Sequence, residues 1–286
     1  MKKGLLRKIL GQCYIWLILF FMYLPILVIT AYSFSSSTAI IGKGFKFDFN
    51  LYPKLFMNRA LMVAVGNTLL IAFISAVVAT LLGTLGAIGA FYSKRKMRNT
   101  MDMANQINVV NAEIVIAFSL TVMFVFLGQY IFKADLFSFW TILIGHVCLS
   151  APFVYISVKP KLQQMDPSLY EAAIDLGASP SVALRKAVIP EIMPGVVSGF
   201  MLAITLSLDD FIITEFLTGA GLLNGNNKIT TISTFVQHAM HKKSVPLETR
   251  SLTALIFLIV IIAVIVISIY KNKQSKKVKV RKGRNV

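Results

Sequence analysis

The chain has 286 residues, 56% of them hydrophobic, and a mean hydropathy of +0.73, beyond the roughly 45–50% apolar content of soluble globular proteins. Lys and Arg number 29 against 12 Asp and Glu, a net charge of +17, but the basic residues gather at segment ends and in the tails. That is the charge pattern of a membrane protein, not of a phosphate-reading face, so a nucleic-acid partner is excluded.

Uncharged runs of about 20 residues match the length needed to cross a hydrocarbon core, and only helices suit such runs. The expected fold is therefore all-α, a polytopic membrane protein with six transmembrane helices. Residues 1–11 form a basic cytoplasmic N-terminus, 12–270 the membrane domain and 271–286 a basic cytoplasmic tail. The first span, Gln12 to Phe34, is retained, because MKKGLLRKIL is followed by too long an apolar run and no small-residue cleavage site. Pro25 is expected to bend it. In FKFDFNLY, Phe45, Phe47, Phe49 and Leu51 alternate with polar residues, as in a short half-buried strand or an interfacial belt.

The second span, Leu61 to Tyr92, carries Gly83, Gly86, Ala87, Gly89 and Ala90, small residues that let another helix approach. KRKMR then marks the inner side. A third span is expected from about Val109 to Phe126 and a fourth from about Phe139 to Val158, joined by an outer loop with Lys133 and Asp135. The fifth covers about Met193 to Leu217 and the sixth about Leu252 to Tyr270. Between these two, Ile229, Ile232, Phe235, Val236 and Met240 are spaced for an amphipathic helix on the outer interface. Both tails and KRKMR fall on one side, the cytoplasmic one, with anionic lipid near the tail.

Between the fourth and fifth spans lies a polar island, about 159–192. Asp166 with Pro167, or Ser168 with Glu171 in a capping box, starts a helix there. Gly177 closes it in the left-handed conformation, Ser179 and Pro180 start a second, and that one should end before Pro190. Ala172, Ala173 and Leu176 make a small apolar face beside Glu171 and Asp175, open to a docking partner. An acidic, alanine-faced helix is a poor surface anchor for lipid.

In the fifth span Asp209 and Asp210 each cost about 2.5–3.5 kcal/mol at mid-membrane. On one continuous helix they point about 100° apart, so their roles should differ. Asp210 shares a polar stripe with Ser207, Thr214 and Thr218 and is expected to line a wet pathway and attract cations. Asp209, with Thr205, faces a neighbouring helix, and Glu215 sits near an outer entrance. The alternative is that both carboxylates bind only a basic or backbone group of a companion subunit. Glu113 reads as a helix-start acid and His146 as a hydrogen-bonded packing residue.

Cys13 and Cys148 lie in apolar runs and imply neither a disulfide nor a metal site. His238 and His241 lack a third ligand. The motifs H-E-x-x-H and G-x-S-x-G are absent, so no catalytic residue is expected, and without G-x-x-x-x-G-K-S/T the chain carries no phosphate loop for ATP.

Glu171-Ala172-Ala173 with Gly177 and Pro190 resembles the EAA loop of bacterial ABC importer permeases, and SLDDFIITEFLTG, Ser207 to Gly219, is similar to the spermidine/putrescine transporter permeases of the C-subunit type. The chain departs from the family at Ala187, Ile189 and Asn111-Ala112-Glu113. The resemblance implies a permease fold, docking of Glu171, Ala172, Ala173, Asp175 and Gly177 into a dimeric cytoplasmic ATPase that binds ATP and Mg, a second similar permease, and an extracytoplasmic polyamine-binding protein. It also implies a bacterial cell membrane location and a substrate pathway through Ser207, Asp209, Asp210, Thr214 and Glu215. A permease for another small solute, such as ferric iron or an opine-like compound, and less readily a cation channel, are the alternatives.

Overall fold

A computed structural model describes residues 2–35, 48–218, 229–242, 245–259 and 261–262, with backbone only for 2–10. The sequence-predicted tail, residues 260 and 263–270 of the sixth span, and Phe45 and Phe47 lie outside the described residues. The fold is all-helical. Residues 1–62 with 239–286 make one compact unit and 63–238 another, and each is taken by itself.

In the first unit α1 (Lys2–Tyr32) continues through Pro25. From Gly11 onward its span exposes apolar side chains on all sides, Trp16 among them, as befits a helix facing hydrocarbon. The strand expected around Phe49 and Leu51 is replaced by a helix, α2 (Leu51–Met57). Its first turn is held by aromatic packing: the Phe34 ring meets Phe49 edge-on at 5.6 Å, and Tyr52 OH lies 3.0 Å from Ser33 Oγ. A helix over 248–259 joins them where the Ser251 hydroxyl donates to Leu51 O (3.3 Å).

The second unit holds most of α3 (Arg59–Tyr92), α4 (Arg95–Val110), α5 (Glu113–Phe126, continued by a π-helical turn Leu127–Phe132) and α6 (Phe139–Gln164). After these come α7 (Ser168–Asp175), α8 (Pro180–Ala183), a π-helical turn Leu184–Val188, α9 (Ile189–Asp209), α10 (Ile212–Leu217) and most of α11 (Ile232–His241). Five helices among the described residues are long and apolar enough to cross a membrane. The core joins α6 and α9 through Val154, Val158, Leu162, Ile192 and Ala203, with Ala76, Ala79, Ala87 and Ala90 of α3 packed on them. At Gly83 an added Cβ would stand 2.7 Å from Ala151 O, so the close approach expected of the small-residue stripe is real there. Gly89 is open and takes no part.

Two expectations are corrected. The third span starts at Glu113, not Val109, because 95–110 form a separate amphipathic helix, α4. That helix is tied to α6: Asp102 accepts from Lys159 Nζ (2.7 Å) and Tyr155 OH (2.6 Å), and Asn108 Nδ2 donates to Cys148 O (2.9 Å). Burial works to raise the Asp102 carboxyl, but the bonds from Lys159 and Tyr155 and the Lys159 and Arg98 charges outweigh it and hold it below its ordinary value. Helix also runs past Pro190 instead of ending before it. The ring needs no N–H partner in the first turn of α9, and the wide π-helical turn just upstream supplies the local change of register that a proline inside a helix otherwise forces as a break.

Candidate functional site

Two polar regions of the second unit carry the expected site residues. In the island, α7 begins as the Asp166 alternative predicts. Its Oδ1 accepts from the Ser168 N–H (3.0 Å) and hydroxyl (2.8 Å), so the Ser168 side chain turns back to Asp166 instead of forming a capping box with Glu171. Those two bonds, the backbone one foremost, hold the exposed Asp166 carboxyl below its ordinary value. The helix closes on Gly177 at φ +84°. Ala178 N–H donates to Ala173 O (3.0 Å) and Gly177 N–H to Ile174 O (2.8 Å), the paired bonds of a Schellman motif. A Cβ at Gly177 would meet nothing, so it is the backbone conformation and not space that requires glycine. Ser179 stands at the next N-cap with Pro180 in the first turn.

This geometry presents Glu171, Ala172 and Asp175 on the surface with Ala173 partly covered. Leu176 is 89% exposed. It stands at the C-terminal cap of α7, beside Gly177.

The second region lies at the end of α9. The expected continuous helix is interrupted: α9 stops at Asp209, Asp210 is extended (φ −63°, ψ 128°), and α10 begins at Ile212. The two carboxylates therefore do not sit at neighbouring positions of one regular helix. Asp210, 5% exposed, caps α10, accepting from Ile213 N–H (3.1 Å), Thr214 N–H (2.9 Å) and the Thr214 hydroxyl (3.1 Å). Such a carboxylate satisfies the orphan N–H groups that a helix start leaves. Asp209, one residue earlier, is exposed. Glu113, in the exposed first turn of α5, lies within electrostatic reach of both.

Ser207 and Thr214 are buried, so the predicted stripe is an internal network and not an open lining. His146 of α6, 1% exposed, is its hub: Nδ1 lies 2.7 Å from Ser207 Oγ and Nε2 2.9 Å from Thr214 Oγ1, with Asp210 Oδ2 at 3.5 Å. Ser75 of α3 donates to Ser207 Oγ (3.0 Å). With Ser207 donating to Nδ1, the imidazole proton sits on Nε2 and points to Thr214, whose hydroxyl proton goes to Asp210. This tautomer is assigned from the network. Gly145 makes the contact feasible, since a Cβ there would lie 2.6 Å from Ile213 Cγ2 and push α10 away from α6.

Glu215 is paired with His238 of α11 (3.0 Å). Through that pair, the Ser233 hydroxyl donating to Asp210 O (3.0 Å) and Ile232 N–H donating to Thr68 Oγ1 (2.8 Å), the expected outer amphipathic helix packs on the protein as well as carrying an apolar face. No group of three or more His, Cys, Asp or Glu suited to a metal is found among the described residues.

The family model of the binding-protein-dependent transport system inner membrane component matches residues 79–279. The chain is 32% identical over 214 residues to the spermidine/putrescine transport system permease protein PotC of Haemophilus influenzae, covering 74% of this chain and 80% of that one. It is 35% identical over 205 residues to the putrescine transport system permease protein PotI of Escherichia coli, covering 70% and 72%. Among solved structures, a bacterial ABC transporter involved in the import of the acidic polysaccharide alginate superposes with a TM-score of 0.67 at 18% identity, over 96% of this chain and 98% of that one. That likeness speaks for the fold alone. With five candidate spans and the family match over most of its length, the chain belongs to the binding-protein-dependent transport system inner membrane components, the non-catalytic multi-pass permeases of ABC importers.

Proposed function

We propose that the chain is a permease subunit of a polyamine importer, forming half of a translocation pathway with a second, similar permease. The observation that carries this reading is the break after α9: an exposed carboxylate, Asp209, with Glu113 in reach and Asp210 buried behind it. Negative charge at the end of an otherwise apolar helix favours a cationic solute and repels anions. The PotC and PotI relatives, named for spermidine and putrescine, support the same substrate class.

The roles within the expected site are redistributed accordingly. Asp209, with Glu113, meets the cation. Asp210, Ser207 and Thr214 shape the bend, and Glu215 ties down α11. The island is the coupling element: Glu171, Ala172, Ala173, Asp175 and Leu176 dock on a cytoplasmic ATPase dimer, which binds ATP and Mg, while Gly177 fixes the cap. An extracytoplasmic binding protein delivers the solute. Both termini and the island face the cytoplasm, and the basic tail lies near anionic lipid.

Uptake of labelled spermidine and putrescine by the four-part complex tests this. Asp209→Asn should raise the concentration for half-maximal uptake about tenfold, the equivalent of about 1.4 kcal/mol, with complex assembly unchanged. Unaltered concentration dependence would remove Asp209 from the pathway.

A further inference from the structure

We propose that His146 is the positioning residue of the fifth span: it holds the break between α9 and α10 and so decides which of two adjacent carboxylates faces the pathway. This rests on the reading of Asp209 as a pathway group. The imidazole is a rigid strut with a polar atom at each end. One end meets Ser207, three residues before Asp210, and the other meets Thr214, four residues after it. The two contacts thus straddle the break, and both come from a neighbouring helix.

Without that strut the local chemistry favours a regular helix through 210, because an unbroken i→i−4 ladder needs no side-chain cap in an apolar medium. The Asp210 carboxylate would then leave its place against Ile213 N–H and Thr214 N–H, and the direction of residue 209 relative to α10 would change. Gly145, beside His146, brings α10 close enough for the imidazole to reach Thr214.

The test uses the complete transporter with Cys13→Ser and Cys148→Ser. A cationic, membrane-impermeant thiol reagent probes Asp209→Cys in one series and Thr205→Cys, an exposed position one helical turn earlier, in another. Adding His146→Ala should slow labelling of the Asp209→Cys thiol at least tenfold and leave the Thr205→Cys thiol within twofold. Ser207→Ala, which deletes only a hydroxyl, should give a smaller slowing, about threefold, confined to the same position. It decides the matter where His146→Ala is not recovered as a complex. No change at either position, or equal loss at both, overturns the proposal, since the effect would then not be local to the break. Labelling does not depend on what is carried. A transporter that ignores polyamines while showing this pattern would therefore sink the substrate reading and leave His146 in its role.

Discussion

At the island, Glu171, Asp175 and Leu176 stand exposed on a short helix whose cap is fixed by Gly177, whereas at the fifth-span break Ser207, Asp210 and Thr214 are buried and bonded to one another through His146. Both are polar interruptions of an apolar chain, yet one leaves its chemistry open and the other closes it internally. The difference teaches where each must be tested. A surface awaiting a partner should fail in assembly and keep its own fold. A self-contained network should fail in stability even when no partner is present.

The sharpest contrast is Asp210→Leu. It strands the N–H groups of Ile213 and Thr214, at about 1–3 kcal/mol each, and should lower the thermal unfolding midpoint of the detergent-purified protein, whereas Asp209→Leu should leave it within error. Equal midpoints for the two would erase the distinction between buried and exposed carboxylate. Next in size, under the proposed docking Leu176→Asp forfeits the burial of a leucine side chain, about 1.5–3 kcal/mol, so retention of the ATPase during purification should weaken roughly tenfold to a hundredfold with the unfolding midpoint unchanged. A lowered midpoint would move Leu176 into the fold's own ledger.

The smallest effect is a pH dependence at Asp166. Its folded carboxyl lies below the ordinary value of 3.8, held there by the Ser168 N–H and hydroxyl, so its contribution to α7 is fully present above that value and is lost as pH falls through the depressed one. Hydrogen exchange at the start of α7 should be flat in protection from neutral pH down to about 4 and rise only below it. Asp166→Asn should abolish the step.

The island was legible in the sequence because its signals are local. Asp-Pro before a helix, a glycine at its end and Ser-Pro at the next start each act within a few residues, and Asp166, Gly177, Ser179 and Pro180 all take the expected places. The break after α9 was not, because apolar residues continue on both sides of Asp209 and Asp210 and the pattern matches one uninterrupted helix from Met193 to Leu217. A usable signal existed: Asp210 precedes Thr214 and an apolar turn by the spacing of an N-cap. The sequence predicts a hydrogen-bonded His146, but its partners come from 61 and 68 residues away, a distance no local pattern spans. For α4, Met101, Asn105 and Asn108 recur at helical spacing, a pattern that an expected third span starting at Val109 leaves unassigned.

From Pro180 to Asp209 the helix is a single stretch of 30 residues, about 45 Å long. A rod of that length works as a lever arm: a tilt of about 5° at the end next to Leu176 carries the far end sideways by about 4 Å, by the same helical dimensions. That is more than the width of a water molecule. The π-helical turn that carries the chain past Pro190 thereby leaves the island and the Asp209 carboxylate at opposite ends of one helical stretch.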